Sequence, residues 1–182
     1  MDVGSPQNIN KVIREYSDGQ WNDFNEFYEN LNRPIRAHLY HMVGQKAVDD
    51  LTQEVFVKAW KALPNFRAES SLKTWIYKIA THVAIDYLRA TKNEKLEDQA
   101  DETRIESQEN LESQNQYQNL VKMALGKLDP VHRSTFSLYV FEELSVAEIA
   151  KVLGVPEGTV KSRLSTARKT LQEVLTKEGI NL

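Results

Sequence analysis

The chain has 182 residues and contains no cysteine. This absence excludes disulfides, thiolate zinc sites and thiol catalysis, and it fits a reducing compartment such as the cytosol. No stretch approaches the roughly 18 consecutive apolar residues that a membrane-spanning helix needs. The N-terminus, MDVGSPQNIN, also lacks the positive start and apolar run of a secretory signal. We therefore expect a cytoplasmic protein with no direct membrane insertion.

Motifs of enzymatic chemistry are also missing. The sequence has no glycine-rich phosphate loop, no nucleophile motif and no paired carboxylates in an apolar setting. A metal enzyme would have to use His38, His41, Asp49 and Asp50, yet no third ligand follows the two histidines at a dependable spacing. Surface or capping histidines explain the pair better. We predict no catalytic residue, no metal site and no cofactor.

What the sequence does contain is helical periodicity. Apolar residues recur at three- and four-residue spacing, and no stretch alternates with a period of two, so the fold is predicted to be all-α. In the first half, three apolar stripes predict three packed helices, preceded by a short turn between Asn8 and Asp18. The stripes run over Phe24–Ile35, Val48–Leu63 (stopped by Pro64) and Leu72–Tyr87.

The composition changes abruptly between Thr91 and Gln116. Eight acidic residues stand against three basic ones, and large apolar residues are almost absent. Such a segment cannot bury enough surface to offset its ordering entropy, so it is predicted to be a flexible linker. The predicted organisation is a lead-in at 1–19, a first small helical domain at 20–91, the acidic linker at 92–116, a second small helical domain at 117–177 and a tail at 178–182.

The second domain ends in a predicted helix-turn-helix. Ser145 and Glu148 have the spacing of a capping box at the start of a short helix. Gly154 is expected to supply a turn where a side chain would clash, and Pro156 to open the next helix. The two helices are predicted to turn one face inward, namely Ile149, Ala150, Leu153, Val160, Leu164, Ala167 and Leu171.

The outer face of the last helix is short or basic, which suits a helix lying in a DNA major groove. Five basic residues and one acid lie between Thr159 and Lys177, although the whole chain has a net charge of −3. The negative charge is therefore concentrated elsewhere. A helical hairpin with a solvated basic face is the plainer interpretation. Because the cap, the turn and the basic face agree in register, we favour DNA binding.

Three stretches together resemble a known family. LSVAEIAKVLGVPEGTVKSRLSTARKTL resembles the −35-reading domain of the extracytoplasmic-function (ECF) group of sigma-70 factors of bacterial RNA polymerase. DDLTQEVFVKAWKAL (Asp49–Leu63) is similar to the polymerase-binding helix of that family. FRAESSLKTWIYKIATHVAIDYLR (Phe66–Arg89) is similar to its −10 melting and recognition segment. The matches cover nearly everything from Gln20 to Leu175 in the family's order.

The resemblance implies sigma region 2, sigma region 4 and a role for each set of residues. On Asp49–Leu63, the face opposite the core stripe carries Asp50, Gln53, Glu54 and Val57. The expected polymerase-docking residues are Asp50, Gln53, Glu54, Phe56 and Trp60. Here Phe56 and Trp60 are large apolar residues just off the core stripe, which fit a partner surface better than solvent. The implied −10 residues are Phe66, Arg67, Ser70, Lys78, His82, Asp86 and Arg89. The implied −35 residues are Thr159, Lys161, Ser162, Arg163, Ser165, Thr166, Arg168 and Lys169.

Two positions depart from the family pattern. His82 stands where the family commonly has asparagine, and Thr166 stands where it often has arginine. Both departures predict an altered promoter preference. We expect Trp75 to be a core residue rather than a base-stacking one.

The implied partners are core RNA polymerase, through its β′ clamp helices and β flap, and promoter DNA, which would associate the protein with the nucleoid. A cognate anti-sigma factor is also implied, and such factors can hold a sigma factor at the membrane. The acidic linker could mimic RNA in the exit path or act as a plain tether. The competing hypothesis is a helix-turn-helix regulator with a sensing or dimerising first domain, which would bind a palindromic duplex alone as a dimer.

Overall fold

A computed structural model describes residues 22–67, 69–97 and 114–179. Within these residues the chain forms seven α-helices, one short 3₁₀ turn and no strand, which confirms the predicted all-α fold. None of the described helices is long and apolar enough to cross a membrane. The elements are α1 Asn22–Val43, α2 Gln45–Ala62, the 3₁₀ turn Leu63–Asn65, α3 Leu72–Glu97, α4 Gln114–Gly126, α5 Pro130–Val140, α6 Val146–Leu153 and α7 Glu157–Lys177.

The first three helices pack against one another along the predicted stripes. Ile35 of α1, Val48 of α2 and Ile76 of α3 are fully buried in one apolar cluster. Gly44 joins α1 to α2 with a φ of 80°, a conformation that glycine adopts at little cost. Its N–H donates to the Tyr40 carbonyl at 2.9 Å, which closes the last turn of α1. The predicted turn between Asn8 and Asp18 lies outside the described residues.

Both ends of the predicted linker are helical. Helix α3 continues to Glu97, six residues past the predicted domain boundary at 91, and α4 begins at Gln114. An acidic composition excludes a buried face, but a helix can continue without one when lysine and glutamate supply good helix propensity. The Thr91 hydroxyl donates to the Tyr87 carbonyl at 3.0 Å in the turn just before this extension. Residues 98–113 lie outside the described part.

The helix-turn-helix has the predicted capping. The Ser145 N–H donates to the Glu148 carboxylate at 2.9 Å, and the Glu148 N–H donates back to Ser145 Oγ at 3.2 Å. Gly154 follows α6 with a φ of 65°, and a Cβ built there would have no neighbour within 4 Å. The expected clash is therefore wrong, since the left-handed backbone alone accounts for the glycine. Pro156 caps α7 from just outside the helix.

The two halves of the chain share one apolar core. Helix α6 packs against α3, and α5 packs against α1. The cluster that holds Ile76 of the first half also holds Leu138, Ile149 and Val152 of the second half. The sequence predicted that Leu153 points inward and did not include Val152 in the inner face. Val152 is nevertheless fully buried, because α6 is covered by α3 as well as by α7.

Candidate nucleic-acid and polymerase interfaces

Helix α2 exposes one polar face to solvent. Asp50, Gln53, Glu54 and Val57 are all exposed and lie on successive turns, as the spacing of the buried stripe predicts. Val57 is 52% exposed, so this face has an apolar residue among its polar neighbours. A surface of this kind can dock a partner helix.

Phe56 does not lie on that exposed face. Its side chain is 5% exposed and its ring packs edge-on against Phe27 and Tyr28, with centroids 6.1 Å and 4.7 Å away. The prediction that Phe56 presents its ring to a partner is therefore wrong, because α1 already covers that side of α2. Trp60 is half-buried, and Val57 is the apolar residue that the exposed face presents.

Two acidic groups of α2, Glu54 and Asp49, already have ionic partners. Lys58 Nζ lies 2.7 Å from Glu54 Oε1 within α2, and Arg36 Nε lies 2.8 Å from Asp49 Oδ1 across to α1. All four side chains are close to half exposed or more, so each pair contributes little to stability. The carboxylates can therefore exchange these partners for others at low cost.

Helix α3 carries a second exposed stripe on the side away from the core. Lys78, His82, Asp86 and Arg89 are exposed at spacings of four, four and three residues. The opposite side, with Tyr77 and the residues that follow it at helical spacing, is buried. The four predicted −10 residues of this helix therefore share one accessible face.

The loop before α3 is built around an aromatic pair. Phe66 and Trp75 are both half-buried, with ring centroids 5.1 Å apart, so Trp75 is a partly covered residue at the edge of the core. Arg67 is exposed beside them, whereas Ala68 lies outside the described residues. Ser70 is half-buried, and its hydroxyl donates to the Ser71 carbonyl at 3.3 Å. The loop offers one cation and a partly covered aromatic edge.

The His82 ring is fixed by its own helix. Its Nδ1 lies 2.6 Å from the Lys78 carbonyl oxygen, so Nδ1 carries the hydrogen and donates it. In the neutral ring Nε2 is then an acceptor with no hydrogen. Asparagine offers a donor and an acceptor together, whereas this histidine offers one acceptor, and the two side chains cannot form the same base contacts.

The outer face of α7 is accessible to solvent between Thr159 and Lys169. Lys161, Ser162, Ser165, Thr166, Arg168 and Lys169 are exposed, while Thr159 and Arg163 are half-buried. The inner face is formed by the four predicted apolar residues, Val160, Leu164, Ala167 and Leu171, and each is buried. The periodicity therefore assigned the two faces of this helix correctly.

Tyr139 of α5 is a neighbour of this face that the sequence did not reveal. It is 37% exposed, and the Arg168 guanidinium lies 5.5 Å from its ring centroid. A cation over an aromatic ring is attracted by the ring's negative face, which limits where the guanidinium can point. The signal that could have revealed this neighbour is a large aromatic residue at a position where α5 leaves it partly exposed to solvent.

The two histidines considered for a metal site have other roles. His38 is fully buried, with Nε2 3.1 Å from Thr81 Oγ1 and Nδ1 3.4 Å from Ser137 Oγ. His41 is half-buried and its ring stacks on Phe141, with centroids 3.9 Å apart. Their interpretation as surface or capping histidines is wrong, since both pack against the second half of the chain.

Acid should destabilise the chain through His38. Burial, followed by the nearby charge of His41, lowers the pKa of His38 to about 3, whereas in the unfolded chain it keeps its ordinary value. The unfolded state therefore binds the proton first, and stability falls as the pH drops through about 6.5. Burial raises the pKa of Glu142, which offsets part of this loss. We expect a net loss of about 1–2 kcal/mol between about pH 7 and pH 5.

Urea unfolding at several pH values measures this loss. His38→Gln should flatten the dependence, and His82→Gln on the exposed side of α3 should leave it in place. An equally steep slope in the His38 variant would assign the effect to other groups.

A helix-turn-helix whose outer face is basic and accessible defines a DNA-binding protein. Comparison with known families narrows this class: residues 27–94 match Sigma-70 region 2, and residues 118–171 match Sigma-70, region 4. RNA polymerase sigma factor YlaC of Bacillus subtilis (strain 168) is 32% identical over 163 residues, which cover 85% of this chain and 90% of that protein. The ECF RNA polymerase sigma-E factor of Escherichia coli (strain K12) is 28% identical, with 88% and 90% covered.

Solved structures agree with these relatives. The sigma factor RpoE in complex with the anti-sigma factor NepR from Bartonella quintana is 26% identical, with a TM-score of 0.67 over 85% of this chain and 97% of that one. CnrH in complex with the cytosolic domain of CnrY shares the fold, with a TM-score of 0.68 at 23% identity over 91% and 96% of the two chains. The chain therefore belongs to the sigma-70 family and is an ECF-type RNA polymerase sigma factor. Proteins of this family initiate transcription and are not enzymes.

Proposed function

We propose that this sigma factor positions core polymerase on a promoter through three separate faces. The exposed face of α2 docks on the β′ clamp helices, the outer stripe of α3 with the Phe66–Ser71 loop contacts the −10 element, and the outer face of α7 reads the −35 element. The second domain also contacts the β flap. The observation that carries the proposal is that the faces assigned to the three partners are each accessible to solvent.

The −35 face combines charge with small side chains. Lys161, Arg168 and Lys169 can neutralise phosphates, while Ser162 and Ser165 are short enough to let the helix approach base edges. Ser162 Oγ already donates to the Thr159 carbonyl at 2.9 Å, so its free lone pairs face outward as acceptors. The Arg168 side chain is held over Tyr139, and this restriction lowers the entropy cost of a DNA contact.

The −10 element would be bound as single-stranded DNA. An unpaired base needs a stacking surface with nearby cations, and Phe66 with Arg67 offers both at the start of the segment. Lys78 and Arg89 would contact phosphates on the α3 stripe. His82 presents an acceptor at Nε2, which favours a base with an exocyclic amino group.

The polymerase carries out all chemical steps of RNA synthesis, and this chain positions the polymerase on the promoter. We place it at the chromosome in the cytoplasm, held there by polymerase and DNA. We also propose a cognate anti-sigma partner, since the relative RpoE was solved in complex with the anti-sigma factor NepR. Membrane association would then come from that partner.

In-vitro transcription tests the proposal directly. Purified core polymerase and fragmented genomic DNA are incubated with or without this chain, and the 5′ ends of the RNA products are sequenced. We expect new start sites that share one −10 and one −35 motif. A chain that yields no new start sites, but binds a palindromic duplex alone as a dimer, would instead be a conventional helix-turn-helix regulator.

Restoring a cation on the −35 face should strengthen DNA binding. Thr166 is exposed on α7 where the family often has arginine, so Thr166→Arg adds one phosphate or base contact. We expect the affinity for a duplex carrying the −35 motif found above to rise roughly fivefold, and the salt dependence to steepen by about one ion.

The matched control is Thr176→Arg, which adds the same charge to another exposed part of α7. Fluorescence anisotropy at several salt concentrations measures both variants. An unchanged affinity and an unchanged base preference in Thr166→Arg would place this residue outside the interface.

A further inference from the structure

The imidazole ring of His82 is held at one nitrogen and leaves the other for a ligand. Its Nδ1 donates to the Lys78 carbonyl at 2.6 Å, so Nδ1 keeps its hydrogen whether the ring is neutral or cationic. The two ring nitrogens point in different directions, and Nε2 is therefore the nitrogen that can meet DNA. Protonation changes Nε2 from an acceptor into a donor without breaking the contact that orients the ring.

His82 lies in the middle of the exposed side of α3. Lys78, one turn before it, and Asp86, one turn after it, are exposed, whereas Ile79 and Ile85 at the two edges of this side are half-buried. Helices α1, α2, α5 and α6 pack against α3, whose buried residues lie on the opposite side. Among the described residues, no hydrogen bond or salt bridge joins His82 to these four helices. The charged groups that face its ring are therefore Lys78 and Asp86, which have opposite effects on its protonation.

The four bases differ in what they offer to Nε2. Adenine and cytosine carry an exocyclic amino group, which donates a hydrogen bond, whereas guanine and thymine carry a keto oxygen at the corresponding position, which accepts one. A neutral His82 therefore matches an amino base, and a cationic His82 matches a keto base. The wrong combination brings together two donors or two acceptors and leaves both groups unsatisfied.

We propose that His82 makes the −10 base preference of this sigma factor depend on pH, selecting an amino base when the ring is neutral and a keto base when it is protonated. The inference rests on the proposed function, because it takes the outer stripe of α3 as the −10 face. Histidine is the side chain whose charge ordinarily changes between about pH 5 and pH 8. Phosphates of the bound strand favour the cation further. Asparagine, which the family commonly has at this position, does not titrate and therefore has no second preference.

Nitrogen-15 NMR tests the ring geometry in the free full chain, which has four histidines. At about pH 8 the neutral His82 ring should carry its hydrogen on Nδ1, and lowering the pH should add a proton at Nε2. The His82→Asn variant identifies the signals of this ring by removing them. A neutral ring with its hydrogen on Nε2 would overturn the proposal, since Nε2 would then be a donor at every pH.

Binding of promoter DNA tests the base preference. Holoenzyme assembled from core polymerase and this chain is bound to fluorescent probes with a duplex −35 motif and a single-stranded −10 motif, both taken from the start sites mapped above. Each −10 position carries each of the four bases in turn. At one position, the ratio of the affinities for amino and keto bases should fall at least about fivefold between about pH 8 and about pH 6. Comparing bases at the same pH removes the general effect of pH on the polymerase.

Two variants serve as controls for this ratio. His82→Asn should give a ratio that does not change with pH. His132→Gln removes a different histidine, in the first turn of α5, and should keep the wild-type dependence. Circular dichroism at each pH checks that the chain stays folded, because acid destabilises it through His38.

The binding assay distinguishes the ways in which the proposal can fail. A ratio independent of pH in the wild type, or an equal dependence in His82→Asn, would overturn the proposal and leave the sigma-factor function standing. An affinity that rises equally for all four bases in acid would also overturn it, because the cation would then contact a phosphate rather than a base. If neither the wild type nor His82→Asn directs any new start site, the proposed function itself fails.

Discussion

Replacing Arg133 by methionine should lower the free energy of unfolding by about 3 kcal/mol. The guanidinium donates to three backbone carbonyls, those of Met42, Gly126 and Leu128, at 2.7, 3.1 and 3.0 Å. Met42 and Gly126 lie in the last turns of α1 and α4, where carbonyls have no partner within the helix. The single guanidinium therefore satisfies carbonyls at the C-terminal ends of two helices. Its positive charge also interacts favourably with the negative end of each helix dipole.

The estimate balances two opposing effects. Burial lowers the pKa of Arg133, which shows that desolvating the charge is costly, and removing it recovers that cost. Methionine, however, leaves three partly buried carbonyls without a donor, at about 1–3 kcal/mol each. We expect the unsatisfied carbonyls to dominate. Arg133→Lys should recover part of the loss, because an ammonium carries charge but lacks the planar fork of donors.

Urea unfolding of the full chain measures both variants. The matched control is Arg36→Met, which removes an arginine from the exposed pair with Asp49 and should cost less than about 1 kcal/mol. Equal losses at the two positions would mean that Arg133 contributes only an ordinary surface interaction, contrary to the geometry.

Local features of this fold could be predicted from the sequence because their causes are local. The capping box at Ser145 and Glu148 needs residues three apart, and the left-handed turn at Gly154 needs one glycine. The inner face of α7 follows from periodicity alone. The reason given for Gly154 was wrong even though the turn was right, because the space around a Cβ depends on atoms that are distant in the sequence.

The buried face of α2 is wider than the sequence predicts. The cause is again contacts with residues that are distant in the sequence. Periodicity locates the centre of an apolar stripe, but its width depends on how many elements cover the helix. Helix α2 packs against both α1 and α3, so Phe56 is buried beside the stripe and Val57 is left on the exposed face. Periodicity placed Asp50, Gln53, Glu54 and Val57 on the exposed face correctly, and the error was to expect Phe56 beside them.

The contact between the domains had no sequence signal. Tyr77 and Glu142 are 65 residues apart, and His38 and Ser137 are 99 apart, on opposite sides of the acidic segment. A change in composition predicts where a chain can be flexible, and it says nothing about whether the flanking domains dock. For the same reason His38 and His41 were interpreted as surface or capping residues, since the helix that covers them follows the acidic segment in the sequence.

The double variant Gln53→Ala/Glu54→Ala should weaken binding to core polymerase by about 30-fold, or about 2 kcal/mol. Both residues lie in the middle of the exposed α2 face, between Asp50 and Val57, where a docked helix would exclude water most fully. Polar contacts at the centre of an interface contribute more than those at its rim. Alanine keeps the helix intact, so the loss would come from the missing contacts rather than from unfolding.

The chain provides a matched control in Gln172→Ala/Glu173→Ala, which removes the same pair of side chains from an exposed turn of α7. This variant should bind polymerase as the wild type does. Both double variants should bind the −35 duplex unchanged, because neither alters the recognition face. Polymerase affinity is measured with fluorescently labelled chain and purified core enzyme. An unchanged affinity in Gln53→Ala/Glu54→Ala would move the docking site away from α2, whereas a loss in both variants would indicate a general defect rather than a lost contact.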